Sequence, residues 1–136
     1  MHLSLRRGER VYINGAVLRV DRKVSIELMN DATFLLENHI IHPEQAISPL
    51  KQLYLAIQTI LMAPTKSDGA VLVCLGLISN FIVISEDKDL IKYLIDVRNN
   101  ITSSRYYDAL KILRNIFQDQ SDRAKKWDEL LGIGCK

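Results

Sequence analysis

The chain has 136 residues, 48% of them hydrophobic and 25% charged, with a formal net charge of +2 at pH 7. This length and composition predict a single globular domain with enough apolar mass for a core. The longest apolar stretch, residues 70–84, is shorter than the roughly 20 residues that a membrane-spanning helix needs, so we exclude membrane insertion and expect a soluble protein.

The cysteines and the N-terminus bear on the cellular compartment. Cys74 lies in an apolar run and Cys135 lies next to the C-terminus, a pattern that indicates neither a disulfide framework nor a metal-binding pair. The first seven residues lack the apolar core of a signal peptide. We therefore expect a cytoplasmic protein with reduced thiols.

Short apolar runs and turn residues alternate through residues 1–41. Residues 24–28 alternate between apolar and polar side chains, which is typical of a strand with one buried face. Asn14-Gly15 stands between two apolar stretches and is a strong hairpin signal, because both residues tolerate a positive φ. We predict four or five short antiparallel strands arranged as a meander.

The pattern becomes helical after residue 42. Ser48-Pro49 predicts a helix start, and Pro64 predicts its end. Residues 71–84 are rich in β-branched side chains but long for a strand, and we favour a buried helix. Residues 86–101 and 104–117 carry apolar stripes at helical spacing. The predicted fold class is α+β, with the N-terminal β meander followed by a C-terminal bundle of about four helices.

These elements predict three parts of one compact domain. Residues 1–42 form a basic β module, and residues 43–117 form a helical module packed on it. Residues 118–136 are mostly polar and are predicted to be a mobile tail. Within that tail, Trp127 and Leu130-Leu131 are candidate docking points.

Known catalytic and phosphate-binding motifs are missing from the sequence. His39 and His42 lie in the one local cluster that suits a metal, but they would converge only on a helix, and Pro43 argues against a helix there. Cys74 lies among apolar residues, where a thiol is unreactive. We therefore predict a protein that is not an enzyme and that has no metal and no cofactor.

Positive charge is concentrated at the N-terminus. Residues 1–23 contain six basic and two acidic side chains, a local charge of +4, so the rest of the chain carries −2. Arginine suits phosphate because its planar fork donates two parallel hydrogen bonds, and a nearby tyrosine offers a surface on which a base can stack. The candidate RNA-contacting residues are Arg6, Arg7, Arg10, Tyr12, Arg19, Arg22 and Lys23. The alternative is that these cations only keep a sheet edge from pairing with other chains.

The N-terminal half contains long, unusual stretches, which are residues 3–23, 34–39 and 48–54 together with Gln58-Thr59. In these stretches the chain resembles the FlbT family. The resemblance covers residues 1–62 closely and extends more loosely to about residue 117. The chain departs from the family in the middle, where residues 71–84 are more β-branched than the family's helix.

The resemblance implies a post-transcriptional regulator of flagellum biogenesis. FlbT proteins associate with the 5′ untranslated region of flagellin mRNA, reduce its translation and promote its decay, and they act with a small companion protein, FlaF. Some members are activators, so the direction of regulation does not carry over. The resemblance supplies no catalytic motif and no RNA-contacting residue.

A second hypothesis places the function in the helical half. In that case the chain is an adaptor or chaperone-like protein for flagellar proteins, such as a FlaF-like companion or flagellin, and any effect on RNA is indirect. The apolar excess of residues 50–117 favours an interface and a homodimer. The candidate interface residues are Tyr54, Tyr106 and Tyr107.

Overall fold

The computed structural model describes residues 2–30, 32, 34–63, 68–118 and 126–131. Within them, five short strands precede four long helices, so the predicted α+β class is confirmed. The strands are β1 (His2–Leu5), β2 (Arg10–Ile13), β3 (Ala16–Arg19), β4 (Val24–Glu27) and β5 (Phe34–Leu36). The helices are α1 (Pro49–Met62), α2 (Asp68–Ile84), α3 (Lys88–Thr102) and α4 (Tyr106–Gln118). A further short helix, α5, covers residues 126–131.

The strands do not form a simple meander. All pairs are antiparallel, but β1 pairs with β4 in one sheet, and β2 lies between β3 and β5 in another. The predicted Asn14-Gly15 turn joins β2 to β3, with φ of 50° and 85° at its two residues. The two ladders belong to the same pair of chain segments. His2 lies opposite Glu27 at the outer end, and Ile13 lies opposite Ala16 next to the turn. The first four strands are therefore one long hairpin that is interrupted in its middle.

A turn and a β-bulge make the interruption. The Glu9 N–H donates to the Arg6 carbonyl at 3.0 Å, and Gly8 has a φ of 81°, as a type II turn requires at that position. The Gly8 N–H donates to the Val20 carbonyl at 2.8 Å, and the Val20 N–H donates to the Glu9 carbonyl at 3.3 Å. Gly8 and Glu9 thus lie opposite the single residue Val20, which is the definition of a β-bulge. Gly8 occupies the bulge position that needs a positive φ. Such a bulge bends the hairpin.

The bend lets the outer half of the hairpin pack on the inner half. Leu3 and Leu5 of β1 are buried in one cluster with Val11 of β2 and Phe34 of β5. The opposite face of the three-stranded sheet carries Leu35, which belongs to the helical core. Because neighbouring strand residues point to opposite faces, β2 and β5 are covered on both sides.

The four long helices form a ring, in which α1 contacts α2 and α4, and α3 contacts the same two helices. The Ser48 side chain caps α1 by accepting a hydrogen bond from the Lys51 N–H at 3.4 Å. Asp87 caps α3 by accepting from the N–H groups of Asp89 and Leu90 at 2.9 and 3.1 Å. The ambiguous stretch 71–84 lies in α2, so the helical interpretation is confirmed. None of the helices in the described part of the chain is both long and apolar enough to cross a bilayer.

Residues 126–131, within the predicted tail, contact the helical half. Trp127 and Leu131 are 3% and 1% exposed and belong to the helical core, whereas Leu130 is exposed. The Trp127 indole N–H donates to the Asp87 carboxylate at 2.9 Å, and the Leu50 N–H donates to Asp128 at 3.0 Å. Residues 126–131 of the predicted tail therefore pack on the helical core, because two buried side chains spaced four apart give α5 an apolar face. The rest of residues 119–136 lies outside the described residues.

Candidate nucleic-acid interface

The register of the long hairpin brings the cations of residues 1–23 together. Arg10 lies directly opposite Arg19 in the β2–β3 ladder. The Gly8 N–H and the Glu9 carbonyl both bond to Val20. Residues 6–9 and residues 20–23 therefore run side by side between the ladder that ends at Leu5 opposite Val24 and the ladder that begins at Arg10 opposite Arg19. All six cations are exposed. We call this set the basic ridge, and it comprises Arg6, Arg7, Arg10, Arg19, Arg22 and Lys23.

The basic ridge holds like charges against each other. Directly opposed residues of an antiparallel pair have Cβ atoms about 5 Å apart, and like charges at that spacing are destabilising. Arg22 lies 3.5 Å from the Asp21 carboxylate, but both side chains are largely exposed, so the pair contributes little. The other five ridge cations form no salt bridge with any residue that the structure describes. The ridge is therefore an exposed, largely uncompensated positive surface.

The opposition of Arg10 and Arg19 follows from the hairpin register that the sequence encodes. A two-residue Asn14-Gly15 loop sets the register of the strands it joins. Counting outward from that loop pairs Ile13 with Ala16 and then Arg10 with Arg19, as in the structure. The hairpin signal was recognised, but its consequence for the arginines was missed.

The structure separates Tyr12 from the exposed cations. Its side chain is half-buried and packs against the helical core, beside its β5 partner Leu35. A ring packed in this way leaves little open surface for a base to stack on. The sequence suggested otherwise because it did not show that both faces of β2 are covered.

Hydrogen bonds from α1 hold the segment that follows β5. The buried Gln58 side chain accepts from the Ile41 N–H and donates to the Ile41 carbonyl, both at 2.8 Å. The Tyr54 hydroxyl donates to the His39 carbonyl. The same segment reaches the ridge, because the Glu37 carboxylate accepts from the Arg10 N–H at 2.9 Å. The orientation of the ridge is thus tied to the helical core.

Tyr54 was predicted as a partner contact, but the structure places its side chain in the core. Its side chain is 1% exposed and lies in the core, where burial raises the pKa of its hydroxyl. The Arg114 guanidinium donates to that hydroxyl at 3.4 Å. Tyr54 falls on the apolar stripe of α1, whose spacing of three and four residues is typical of side chains that face a core.

The other two tyrosines are half-buried near the start of α4. Tyr107 packs on Phe34 with ring centres 4.8 Å apart, and Arg114 lies over its ring at 5.3 Å. Tyr106 lines an adjacent cleft of about 480 Å³. The cation at that cleft, Arg105, pairs with Asp108 at 2.9 Å. The cleft is therefore a poorer anion site than the basic ridge.

His39 lies at the junction between the two halves. Its Nδ1 atom is buried and has no hydrogen-bond partner among the described residues. Burial lowers the pKa of this imidazole, and the nearby Arg114 charge lowers it further. The structure therefore favours a neutral His39.

Comparison with known proteins points to one family. The family model described as "Flagellar protein FlbT" matches residues 1–122. Relatives from Brucella abortus (strain S19), Brucella ovis and Brucella anthropi, each named "Probable flagellum biosynthesis repressor protein FlbT", are 45% identical over 114 residues. Those alignments cover 84% of this chain and 75% of each relative. No solved structure matches. The chain therefore belongs to the FlbT family of flagellar proteins.

Proposed function

We propose that this chain is a regulator of flagellum synthesis that binds the 5′ untranslated region of flagellin mRNA through its basic ridge. Binding there would reduce translation of the message or promote its degradation. The regulatory role is supported by family membership and by the repressor name that its relatives carry. The observation that carries the RNA proposal is the placement of Arg10 opposite Arg19 on an exposed hairpin.

The physical case rests on charge. A cross-strand pair of like charges weakens the hairpin unless an anion lies between or above the two side chains. Phosphate suits this position, because each guanidinium can donate two parallel hydrogen bonds to it. The Asp21 carboxylate is the acid paired with a ridge cation among the described residues, and that pair is exposed and weak. Among the described residues the Arg10 and Arg19 guanidinium groups form no salt bridge, so they remain open to phosphate. The Glu37 carboxylate, which accepts from the Arg10 backbone N–H, is the acid that a bound phosphate would lie nearest to at that residue.

This mode of binding has a characteristic salt dependence. Each phosphate neutralised on a single strand contributes a slope of about −0.7 to a plot of log affinity against log salt concentration. Six ridge cations would together give a slope of roughly −4 if each met one phosphate. Phosphate contacts position a protein but carry no sequence information. The ridge thus supplies affinity and orientation, and selection of one message depends on RNA shape or on further contacts.

The test uses labelled flagellin leader RNA and fluorescence anisotropy across a series of salt concentrations. The double variant Arg10→Gln and Arg19→Gln should bind more weakly, with a salt slope reduced by about 1.4. The matched control removes two exposed helical cations, Lys92→Gln and Lys111→Gln, and should leave affinity and slope close to those of the parent. Unchanged binding by the ridge variant would refute direct recognition through the ridge.

An adaptor function is the second candidate, and the exposed apolar side chains of α2 favour it. In that case the purified chain binds no leader RNA but forms a stable complex with a flagellar protein, such as a FlaF-like companion or flagellin. Co-purification from cells, compared between the parent chain and the ridge variant, separates the two candidates. The adaptor complex should survive removal of Arg10 and Arg19.

A further inference from the structure

Helix α2 has an apolar surface on its outer side. Residues 69–85 contain no charged side chain. The buried residues of α2 form one stripe, Cys74, Ile78 and Phe81, whereas Leu72 is 70% exposed and Val83 is 81% exposed. A helix that is apolar all round is normally covered all round. Among the residues that the structure describes, the outer side of α2 therefore lacks the cover that its composition calls for.

We propose that this outer side is where two copies of the chain meet, with their α2 helices antiparallel about a two-fold axis. We call it the α2 face, and it comprises Leu72, Val73, Gly76, Ser79, Asn80 and Val83. All six residues are exposed, and their spacing of three and four residues keeps them on one side of the helix. The proposal does not depend on RNA binding.

The pattern along the α2 face is the same in both directions. Large apolar residues stand at its two ends, and small or polar residues stand at its centre. In an antiparallel pair, Val83 of one copy meets Leu72 and Val73 of the other, and the two centres meet each other. A two-fold interface requires a surface that is complementary to itself. The α2 face meets that requirement.

Gly76 sits at the centre of the face. A Cβ atom added there would meet no atom within 4 Å, so no described residue of the same copy requires a glycine at this position. Glycine weakens a helix interior relative to alanine. At a crossing point, however, the missing side chain lets two helix backbones approach more closely, since the distance between helix axes depends on the side chains at the contact. Close contact with the α2 helix of a second copy would explain why a glycine stands at this position.

Charge and area both favour a second copy as the occupant. The face offers no charge with which an acidic or basic partner could pair. Leu72, Val73 and Val83 together expose on the order of 400 Å². With the small residues between them, two copies would bury roughly 1,200 Å², which reaches the lower limit for stable, specific interfaces.

The dimer would leave the basic ridge accessible. Side chains of α1 and α4 contact the segment around β5, through Gln58 with Ile41 and Tyr107 with Phe34. Helix α2 lies on the other side of the ring, between α1 and α3. The paired chains would therefore carry two basic ridges on one particle, both facing away from the contact.

Sedimentation equilibrium of the 136-residue chain tests the proposal. The parent should sediment as two copies at micromolar concentration, and the variant Leu72→Glu with Val83→Glu should sediment as one. The matched control, Met29→Glu with Ile47→Glu, changes two apolar residues that are 80% and 83% exposed elsewhere, and it should remain a dimer. Circular dichroism should show that both variants keep their helices, because none of the four positions is buried.

Cross-linking tests the geometry. The variant Gly76→Cys, made with Cys135→Ser, should form a covalent dimer with a short bis-maleimide reagent. The same reagent should leave Ile47→Cys, also made with Cys135→Ser, as a monomer. Native Cys74 is buried, and burial raises the pKa of its thiol to about 11, so it should not react.

Three results would overturn the proposal. The parent chain could sediment as a monomer at every concentration. A dimer could persist after Leu72→Glu and Val83→Glu, which would move the contact to another surface, such as the exposed edge strand β3 with Val17 and Leu18. A different protein could instead occupy the α2 face of a monomer in a reconstituted complex, and the occupant would then not be a second copy.

Discussion

The two halves of the molecule are stabilised in different ways. The β half rests on a cluster of four buried side chains, Leu3, Leu5, Val11 and Phe34. The helical half has a far larger core, which extends from Leu35 to Leu131. Stability varies within a protein according to such local packing. The β half, which carries the basic ridge, is therefore held in place by its contacts with the helices, through the Gln58 hydrogen bonds to Ile41 and the packing of Phe34 on Tyr107.

The largest effect should follow from a change in the helical core. Ile57 is fully buried in α1, and Ile57→Ala should lower the free energy of unfolding by about 2–5 kcal/mol, because it leaves a cavity. Urea denaturation measures this loss. As a counterpart, Val11→Ala in the β half should raise hydrogen exchange in the strands while leaving α3 and α4 protected. Equal loss of protection in both halves would abolish the distinction between them.

A smaller effect should follow from cutting the link between the halves. Gln58→Met keeps the size of the side chain but removes both hydrogen bonds to Ile41, and it should destabilise the fold by about 1–3 kcal/mol. Hydrogen exchange should rise first around residues 37–45 and in β2. Gln52→Met changes an exposed glutamine of the same helix and serves as the control. If both variants behaved alike, the Gln58 contacts would not couple the halves.

The same junction should be sensitive to acid. The pKa of His39 is lowered in the folded state, by burial and then by the charge of Arg114. The unfolded chain therefore binds this proton more readily, and stability should fall as pH drops through the ordinary histidine pKa of about 6.5. Thermal unfolding from about pH 8 to about pH 5 should show a steeper loss for the parent than for His39→Asn. Parallel profiles would contradict this assignment, and the exposed His42→Asn is the control.

The smallest effect should be a gain in stability. Replacing Arg10 and Arg19 by glutamine removes a repulsive cross-strand pair, and it should stabilise the hairpin by about 0.2–1 kcal/mol. Thermal denaturation at low salt measures the gain, which should shrink as salt is added. A variant that is more stable yet binds RNA more weakly would separate function from folding. A loss of stability would show that the two arginines do not repel each other.

Much of the fold follows from local sequence. Asn14-Gly15 identified the β2–β3 hairpin, and Ser48-Pro49 identified the start of α1, because both signals act through neighbouring backbone groups. The length of the apolar run at residues 71–84 indicated a helix, and the structure agrees. Membership of the FlbT family was also recognisable from the first 62 residues, and the family comparison confirms it.

The candidate site was only partly predictable, because the charges can be identified in the sequence but the burial of each side chain cannot. The six cations could be identified in the sequence, and hairpin register could have paired Arg10 with Arg19. The burial of Tyr54 and the half-burial of Tyr12 depend on which face each element turns toward the others. A tyrosine suits a core and an interface equally, so its residue type does not decide between them.

Local sequence patterns were enough to predict the strands followed by four helices, the Asn14-Gly15 turn and the concentration of positive charge before residue 24. Each of these depends on residues close together in the chain. The pairing of β1 with β4, the docking of α5 through Trp127 and the exposed apolar face of α2 were found only in the folded chain. These outcomes depend on contacts between distant segments, whose competition for buried surface cannot be read from any single stretch.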